Sequence, residues 1–142
     1  MGDFSAQVLA LINAERAQGA NCRTKGVFAA TGALRWNTRL ESAALGHSND
    51  MEQHNFFSHT GSDQRNLADR VNATGYTWSR LGENIAAGYP DVQTVVAAWM
   101  ASDGHCANVM NPLFAEIGMT CVARTGNAAF NNYWTQDFGT PQ

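Results

Sequence analysis

The chain has 142 residues, a length that suits one domain spanning 1–142, with 44% hydrophobic and only 15% charged residues. This composition excludes a disordered chain. A net charge of −3, a pI near 5.7 and the lack of any basic run argue for no nucleic acid partner and no anionic membrane surface.

No run of about 18 apolar residues offers a transmembrane segment. Met1-Gly2-Asp3 reads as a start left behind a removed leader. A surface built on Asn, Gln, Ser, Thr and Gly suits a protein outside the cytosol, and a monomer is the working assumption.

Phe4, Val8, Leu11 and Ile12 share one helical face, with Asp3 as N-cap and Gly19 as stop. Residues 20–36 read as irregular. A second helix is expected after Asn37 as cap, with Leu40, Ala43, Ala44, His47 and Met51 on one side, fraying near Asn55. Asn66 to Thr74 reads as a short helix closed by Gly75. Pro90 is expected in the first turn of a further helix whose inner face is Val92, Val95, Val96 and Trp99. Ser102-Asp103-Gly104 ends it, and a short helical turn follows from His105 to Met110, stopped by Asn111-Pro112.

The tail changes period. Ile117, Met119, Cys121 and Ala123 alternate with their neighbours across Glu116 to Arg124, and Trp134, Gln136 and Phe138 do so across Tyr133 to Gly139. Period two means strands, and the polar segment between them predicts a hairpin. Tyr76 to Ile85 adds a candidate strand. Helices first and a small antiparallel sheet last give an α+β order.

Chemistry concentrates at Phe56-Phe57-Ser58-His59, Gly82-Glu83-Asn84-Ile85, Gly104-His105-Cys106-Ala107-Asn108 and Glu116-Ile117-Gly118, all at loops or element ends. Two imidazoles and two carboxylates suit a divalent metal such as zinc, or acid–base work. No H-E-x-x-H pattern presets two ligands on one helical face. His47 reads as a hydrogen-bonded core residue, and His54 as exposed and structural near a helix C-terminus. Ser58, Ser102 and Cys106 each adjoin or approach a histidine, but none has the setting of a nucleophile. Trp99 and Trp134 read as core. One of Phe56 and Phe57 is expected to line a cleft.

Three cysteines allow at most one internal bridge, and no C-x-x-C motif is present. Cys121 falls in line with Ile117 and Met119, so it is expected to stay a buried thiol. A Cys22–Cys106 bridge is then the expectation. Cys106–Cys121 is the rival, and three free thiols remain open.

Leu34-Arg35-Trp36-Asn37, His47 to Met51, Phe56-Phe57-Ser58-His59, Gly82-Glu83-Asn84-Ile85-Ala86, Trp99, Gly104-His105 with Asn108, and Tyr133 to Gly139 occur in this order. The set resembles the bacterial SCP-like branch of the CAP superfamily of cysteine-rich secretory, antigen-five and pathogenesis-related proteins, from about Val8 to Gly139. The resemblance implies a CAP-type three-layer α-β-α sandwich, with a small, mainly antiparallel sheet between helices. It also implies a central cleft with a tetrad of His59, Glu83, His105 and a second glutamate.

That second glutamate departs from the eukaryotic pattern. The corresponding position after Trp99 is Ser102, so Glu116 takes the role by likeness to the bacterial branch, with Asp103 as local competitor. The resemblance further implies a secreted or periplasmic protein whose histidines hold a divalent metal, most often zinc, here weakly bound. A lipid, sterol or peptide ligand is implied, the apolar ones on a surface separate from the tetrad. The alternative is a metal-dependent hydrolase using a zinc-activated water, with Glu83 or Glu116 as general base.

Overall fold

The computed structural model describes residues 2–142. Helix α1 (Gly2–Gln18) leads into two short paired strands, β1 (Ala20–Asn21) and β2 (Val27–Phe28), around a 3-10 turn at Arg23–Lys25. β3 (Arg35–Trp36) precedes the long helix α2 (Thr38–His54), and α3 (Leu67–Ala73) precedes the strand β4 (Trp78–Ala87). α4 (Val92–Met100) and α5 (Asp103–Met110) come next. The hairpin strands β5 (Glu116–Ala123) and β6 (Asn132–Pro141) end the fold.

The main sheet runs β3-β5-β6-β4, parallel between β3 and β5 and antiparallel elsewhere. α2 and α3 cover one face and α1, α4 and α5 the other, which makes the three-layer α-β-α arrangement. Between the sheet and the α1, α4 and α5 layer lie Val8, Ile12, Val95, Trp99, Ile117, Met119 and Phe138. Leu40, Ala43, Val71 and Tyr76 form a smaller core beside α2 and α3.

Local chemistry explains most boundaries. The Asn37 side chain accepts from the Arg39 and Leu40 amides, and Asn55 closes α2 in the left-handed region at φ 51°. Asn66 and Asp69 form a reciprocal capping box on α3.

Several expectations are corrected. α1 already runs at Gly2, so Asp3 lies in its first turn, where a carboxylate still suits the helix dipole. Pro90 stands before α4 because Asp91 is the cap, its carboxylate taking the Thr94 amide at 2.8 Å. α5 begins at Asp103, two residues ahead of His105. β4 and β6 run two residues beyond their expected ends, at Ala87 and Pro141. β4 also separates helices, so the sheet is not confined to the tail.

Cys22 and Cys106 form the disulfide, 84 residues apart in sequence with Cα atoms 5.5 Å apart, and both are fully buried. Closing a loop of this length contributes about 4.5 kcal/mol in the chain-entropy picture. Cys121 is free but exposed, not buried. It has the core-facing parity of Ile117 and Met119, but burial on β5 stops at Thr120. Parity gives the face and does not tell how far along a strand its cover reaches.

α5 is held at both ends. At its N-terminus Asp103 bonds Arg23 at 2.7 Å and the Thr24 hydroxyl at 2.5 Å, beside the disulfide. At its C-terminus buried Arg16 donates to the carbonyls of Val109 and Asn111 at 2.8 and 2.9 Å, and to that of Phe114 at 3.3 Å. One guanidinium thus satisfies carbonyls that a helix end leaves without partners.

α2 crosses β5 at Gly118. A Cβ there would stand 2.0 Å from the Glu41 nitrogen and 2.4 Å from the Leu40 carbonyl carbon. Both atoms are backbone and cannot swing aside. Gly118→Ala is therefore expected to destabilise the protein by about 3 kcal/mol. Gly46→Ala, on the same helix with open space around its Cβ, is expected to be neutral or stabilising by up to ~1 kcal/mol. Urea unfolding of both variants checks this, and an unchanged midpoint for Gly118→Ala would contradict the close crossing.

Candidate functional site

The site is built on β4, an edge strand of the main sheet. Glu83 of β4 pairs with Asp137 of β6, which pairs with Gly118 of β5, so the three share the face that α2 covers. Asn84 looks to the other face. Its amide donates to the His105 carbonyl at 3.2 Å and to the Gln136 amide oxygen at 3.0 Å, and it accepts from Asn108 at 2.9 Å. Adjacent residues of one strand thus hold two elements on opposite sides of the sheet edge.

On the α2 side, His59 Nδ1 lies 2.8 Å from Glu83 Oε1. A carboxylate only accepts, so Nδ1 carries a proton, and in the neutral ring the lone pair is then on Nε2. The ring itself is 58% exposed while the Glu83 side chain is 2% exposed. The glutamate therefore serves the histidine from below. Arg70 of α3 completes the support: it reaches Glu83 Oε2 at 2.7 Å, Glu83 Oε1 at 3.2 Å and the His59 carbonyl at 2.7 Å. Burial works against the charge on Glu83. Hydrogen bonds from His59, Asp137 and Arg70, together with the Arg70 charge, outweigh it and hold the pKa at about 2.

Asp137 is buried completely, and no nitrogen or hydroxyl donor meets either of its carboxyl oxygens. Burial, and then the charge of Glu83, raise its pKa well above the ordinary value. Asp137 keeps its proton and donates it to Glu83, which makes an acid–carboxylate pair beneath His59.

His105 approaches the same edge on α5. Burial lowers its pKa, and the nearby His59 lowers it further, so this ring is neutral around neutral pH. An apolar groove of about 310 Å³ continues from His105 between Phe57, Tyr89, Trp99 and Phe130. Phe57, Tyr89 and Phe130 expose between 37% and 49% of their surface, so three aromatic side chains stand in solvent beside an imidazole. Phe57 is the member of the Phe56-Phe57 tandem that lines it. The groove reaches His105 itself.

Glu116 has partners of its own. The Tyr76 hydroxyl donates to its Oε1 at 2.7 Å, Asn37 reaches the same oxygen at 3.4 Å, and Arg35 stands 3.7 Å from Oε2. Burial and this bond raise the Tyr76 pKa above its ordinary value. Glu116 pairs in register with Gly139, which pairs with Leu81, two residues along β4 from Glu83. The structure brings His59, Glu83 and His105 into one neighbourhood and gives Glu116 a separate bonding set. Among the described residues no group of three or more His, Cys, Asp and Glu side chains is placed to hold a metal ion. Asp103 belongs to the Arg23 and Thr24 anchor.

His47 is buried and donates from Nε2 to the Ser58 carbonyl at 2.7 Å. His54 is exposed and pairs with Asp50 at 2.8 Å.

Sequence reasoning misses Arg70 and Asp137. Arg70 sits on a short helix with no motif around it. Asp137 lies in a strand whose polar residues on both faces are buried, an arrangement that period two alone reads as one wet face.

The pair predicts a pH signature. A lowered Glu83 pKa gives stability that is present above its ordinary value of 4.5 and lost as pH falls toward about 2. A raised Asp137 pKa acts oppositely, with full stability below its ordinary 3.8 and loss as pH rises toward the native pKa. The pair therefore contributes most near about pH 4. Asp137→Asn keeps a neutral donor and removes the alkaline loss. Urea midpoints at about pH 4 and about pH 8 should differ less in Asp137→Asn than in the wild type. An equal difference would mean that Asp137 is ionised in the native state.

Residues 9–138 match the model of the Cysteine-rich secretory protein family, CAP. The chain is 32% identical over 135 residues to the protein YkwD of Bacillus subtilis (strain 168), covering 95% of this chain and 46% of that protein. It is 31% identical over 105 residues to the membrane protein YlbC of the same organism, covering 74% of this chain and 28% of the relative. The chain thus spans less than half the length of these curated relatives.

Among solved structures, it matches an extracellular protein containing a SCP domain from Bacillus anthracis, with TM-score 0.76 and 27% identity over 95% of this chain and 39% of the other. It also matches an outer surface protein of Borrelia burgdorferi, with TM-score 0.75 and 19% identity over 97% of this chain and 96% of the other. The second likeness speaks for the fold alone. With nearly the whole chain covered by the family model and the three-layer fold shared, the chain belongs to the cysteine-rich secretory protein (CAP) family.

Proposed function

We propose that this domain is an extracellular binding module, secreted or periplasmic, that takes a lipid, sterol or peptide from its surroundings. Its binding cleft lies at the β4 edge and holds a divalent ion such as zinc weakly. The observation that carries this reading is the aromatic groove that opens directly onto His105. Shelter for apolar groups with a few polar atoms at one end is the pattern of a ligand site. A disulfide suits an oxidising compartment.

The donor set fits an ion only loosely. His59 Nε2 and a neutral His105 are two imidazole ligands. Glu83 and Glu116 have their oxygens engaged by protein donors, so their part is to orient and to balance charge. When bound, zinc would supply Lewis acidity. Binding is favoured over hydrolysis because a carboxylate held at about 2 is a poor general base near neutral pH, and Glu116 already accepts from Tyr76.

Calorimetry with zinc tests the ion. Binding is expected at about pH 7.5, weaker at about pH 5.5 where imidazole protonates, and lost in the His59→Ala/His105→Ala double variant. Unchanged binding in that variant would place the ion elsewhere. Titration with fatty acids, sterols and hydrophobic peptides tests the groove. Phe130→Asp should abolish saturable binding, and the absence of saturable binding to the wild type would sink the apolar-ligand reading.

A further inference from the structure

β4 is an outer strand of the main sheet, and its register on β6 decides which of its backbone groups face away from the sheet. The Gly88 amide bonds the Asn132 carbonyl, so residues of the same parity, Asn84 and Ala86, turn their backbone groups to β6. Glu83, Ile85 and Ala87 turn theirs outward. Two of these outward carbonyls are taken by side chains: Asn108 Nδ2 donates to Glu83 at 3.2 Å, and Trp99 Nε1 donates to Ile85 at 3.1 Å. α5 and α4 thus supply donors that a neighbouring strand would otherwise supply, and the edge is closed at these two residues.

That closure stops short of Ala87. Among the described residues no donor meets the Ala87 carbonyl, and no acceptor meets the amides of Ile85 and Ala87. Both residues line the groove of about 310 Å³ that holds Phe57, Tyr89, Trp99 and Phe130. Ala87 is half-buried, so its rung of the ladder opens on the groove, and the Ile85 amide lies one rung deeper. Backbone groups out of water call for partners.

The spacing of these groups selects the ligand. Amides two residues apart on a strand stand roughly 7 Å from each other. A single carboxylate or hydroxyl headgroup does not span that distance, and a hydrocarbon chain would leave both amides without acceptors. The carbonyls of an extended peptide recur at the same interval. No Asp, Glu, Lys or Arg lines the groove, which suits an uncharged segment. Both sides are apolar. Phe130 packs on Tyr133, which shares the α2-side core with Ile85, while Ala98 and Trp99 come from α4 on the opposite face. Alternate side chains of a docked strand would meet Phe57 and Phe130 on one side and Ala98 on the other.

We propose that the groove takes an uncharged, apolar stretch of polypeptide in extended form, added antiparallel to the outer edge of β4 as a short strand. One of its residues pairs with Ala87 through two hydrogen bonds, and the carbonyl two residues further on accepts the Ile85 amide. No peptide amide is needed opposite the Ile85 carbonyl, since Trp99 occupies it. This rests on the reading of the groove as a ligand site and narrows its occupant to a peptide.

The test titrates the whole domain with the capped peptide acetyl-Ser-Val-Phe-Val-Ser-amide, with five copies each N-methylated at one residue, and with decanoate, followed by ¹H–¹⁵N spectra. Saturating peptide should shift the Ile85 and Ala87 amides and slow their hydrogen exchange at least about tenfold. N-methylation should weaken binding about tenfold or more at the one amide that faces Ala87, and spare its neighbours, whose N–H groups point away. Ala87→Pro removes an outward amide without touching a bond to β6, so it should fold and lose the peptide. Should that variant fail to fold, the N-methyl series and exchange on the wild type decide without it.

Equal loss at every methylated position, unprotected Ile85 and Ala87 amides in the saturated complex, or full peptide affinity in a folded Ala87→Pro would overturn the strand pairing and leave the groove a ligand site. Saturable decanoate binding with no peptide binding would do the same. If neither probe binds, the reading of the groove and this inference fall together.

Discussion

The site depends on one buried negative charge. Glu83 is almost wholly removed from water, and a carboxylate in that position is tolerable only if donors surround it. Three do: the Arg70 guanidinium, His59 Nδ1–H and the proton on Asp137. Each comes from a different part of the chain, so the charge draws together α3, the loop after α2 and the central strand. The same arrangement sets the tautomer of His59 and leaves Nε2 available to a ligand. Removing any donor would both expose the cost of the charge and free the ring to turn.

The scaffold around that charge is arranged so that little else can move. α2 lies on Gly118 with no room for a Cβ, which fixes the height of the helix above the sheet. From its C-terminal end the chain continues to His59. On the opposite face α5 carries His105, held by Arg16 at one end and by the disulfide with the Asp103 anchor at the other. Asn84 then links the two sides, since its neighbour Glu83 holds His59 while its own amide holds the His105 carbonyl. The spacing of the two imidazoles is set by one dipeptide of β4.

Much of this is legible in the sequence, and the rest is not for identifiable reasons. Asn37, Asn66 and Gly75 announce the ends of α2 and α3 because capping is a local interaction. The i, i+3, i+4, i+7 spacing of Val92 to Trp99 gives the face of α4, and alternation gives β5 and β6. His59, Glu83 and His105 are recognisable by their motifs, and the Cys22–Cys106 bridge is the expected pairing. Arg70 and Asp137 escape, because what matters about each is a partner 13 or more residues away and, for Asp137, burial on a face that alternation reads as polar. Cys121 differs for the reverse reason: its parity is right, but cover over a strand is a tertiary fact. Likeness places Glu116 with the histidines, whereas the partners that hold it, Tyr76 and Asn37, lie 40 and 79 residues away.

The complete burial of both sulfurs of the Cys22–Cys106 bridge has a kinetic meaning. A thiol reductant must approach one sulfur in line, and no solvent-exposed path reaches either while the 20–28 segment and α5 are packed. Reduction then has to wait for that region to open by itself. At high reductant the observed rate becomes the opening rate, and at low reductant it reports the population of the open form. Because the opened segment includes the turn that carries His105, the bridge is an internal clock for how often half of the cleft comes apart.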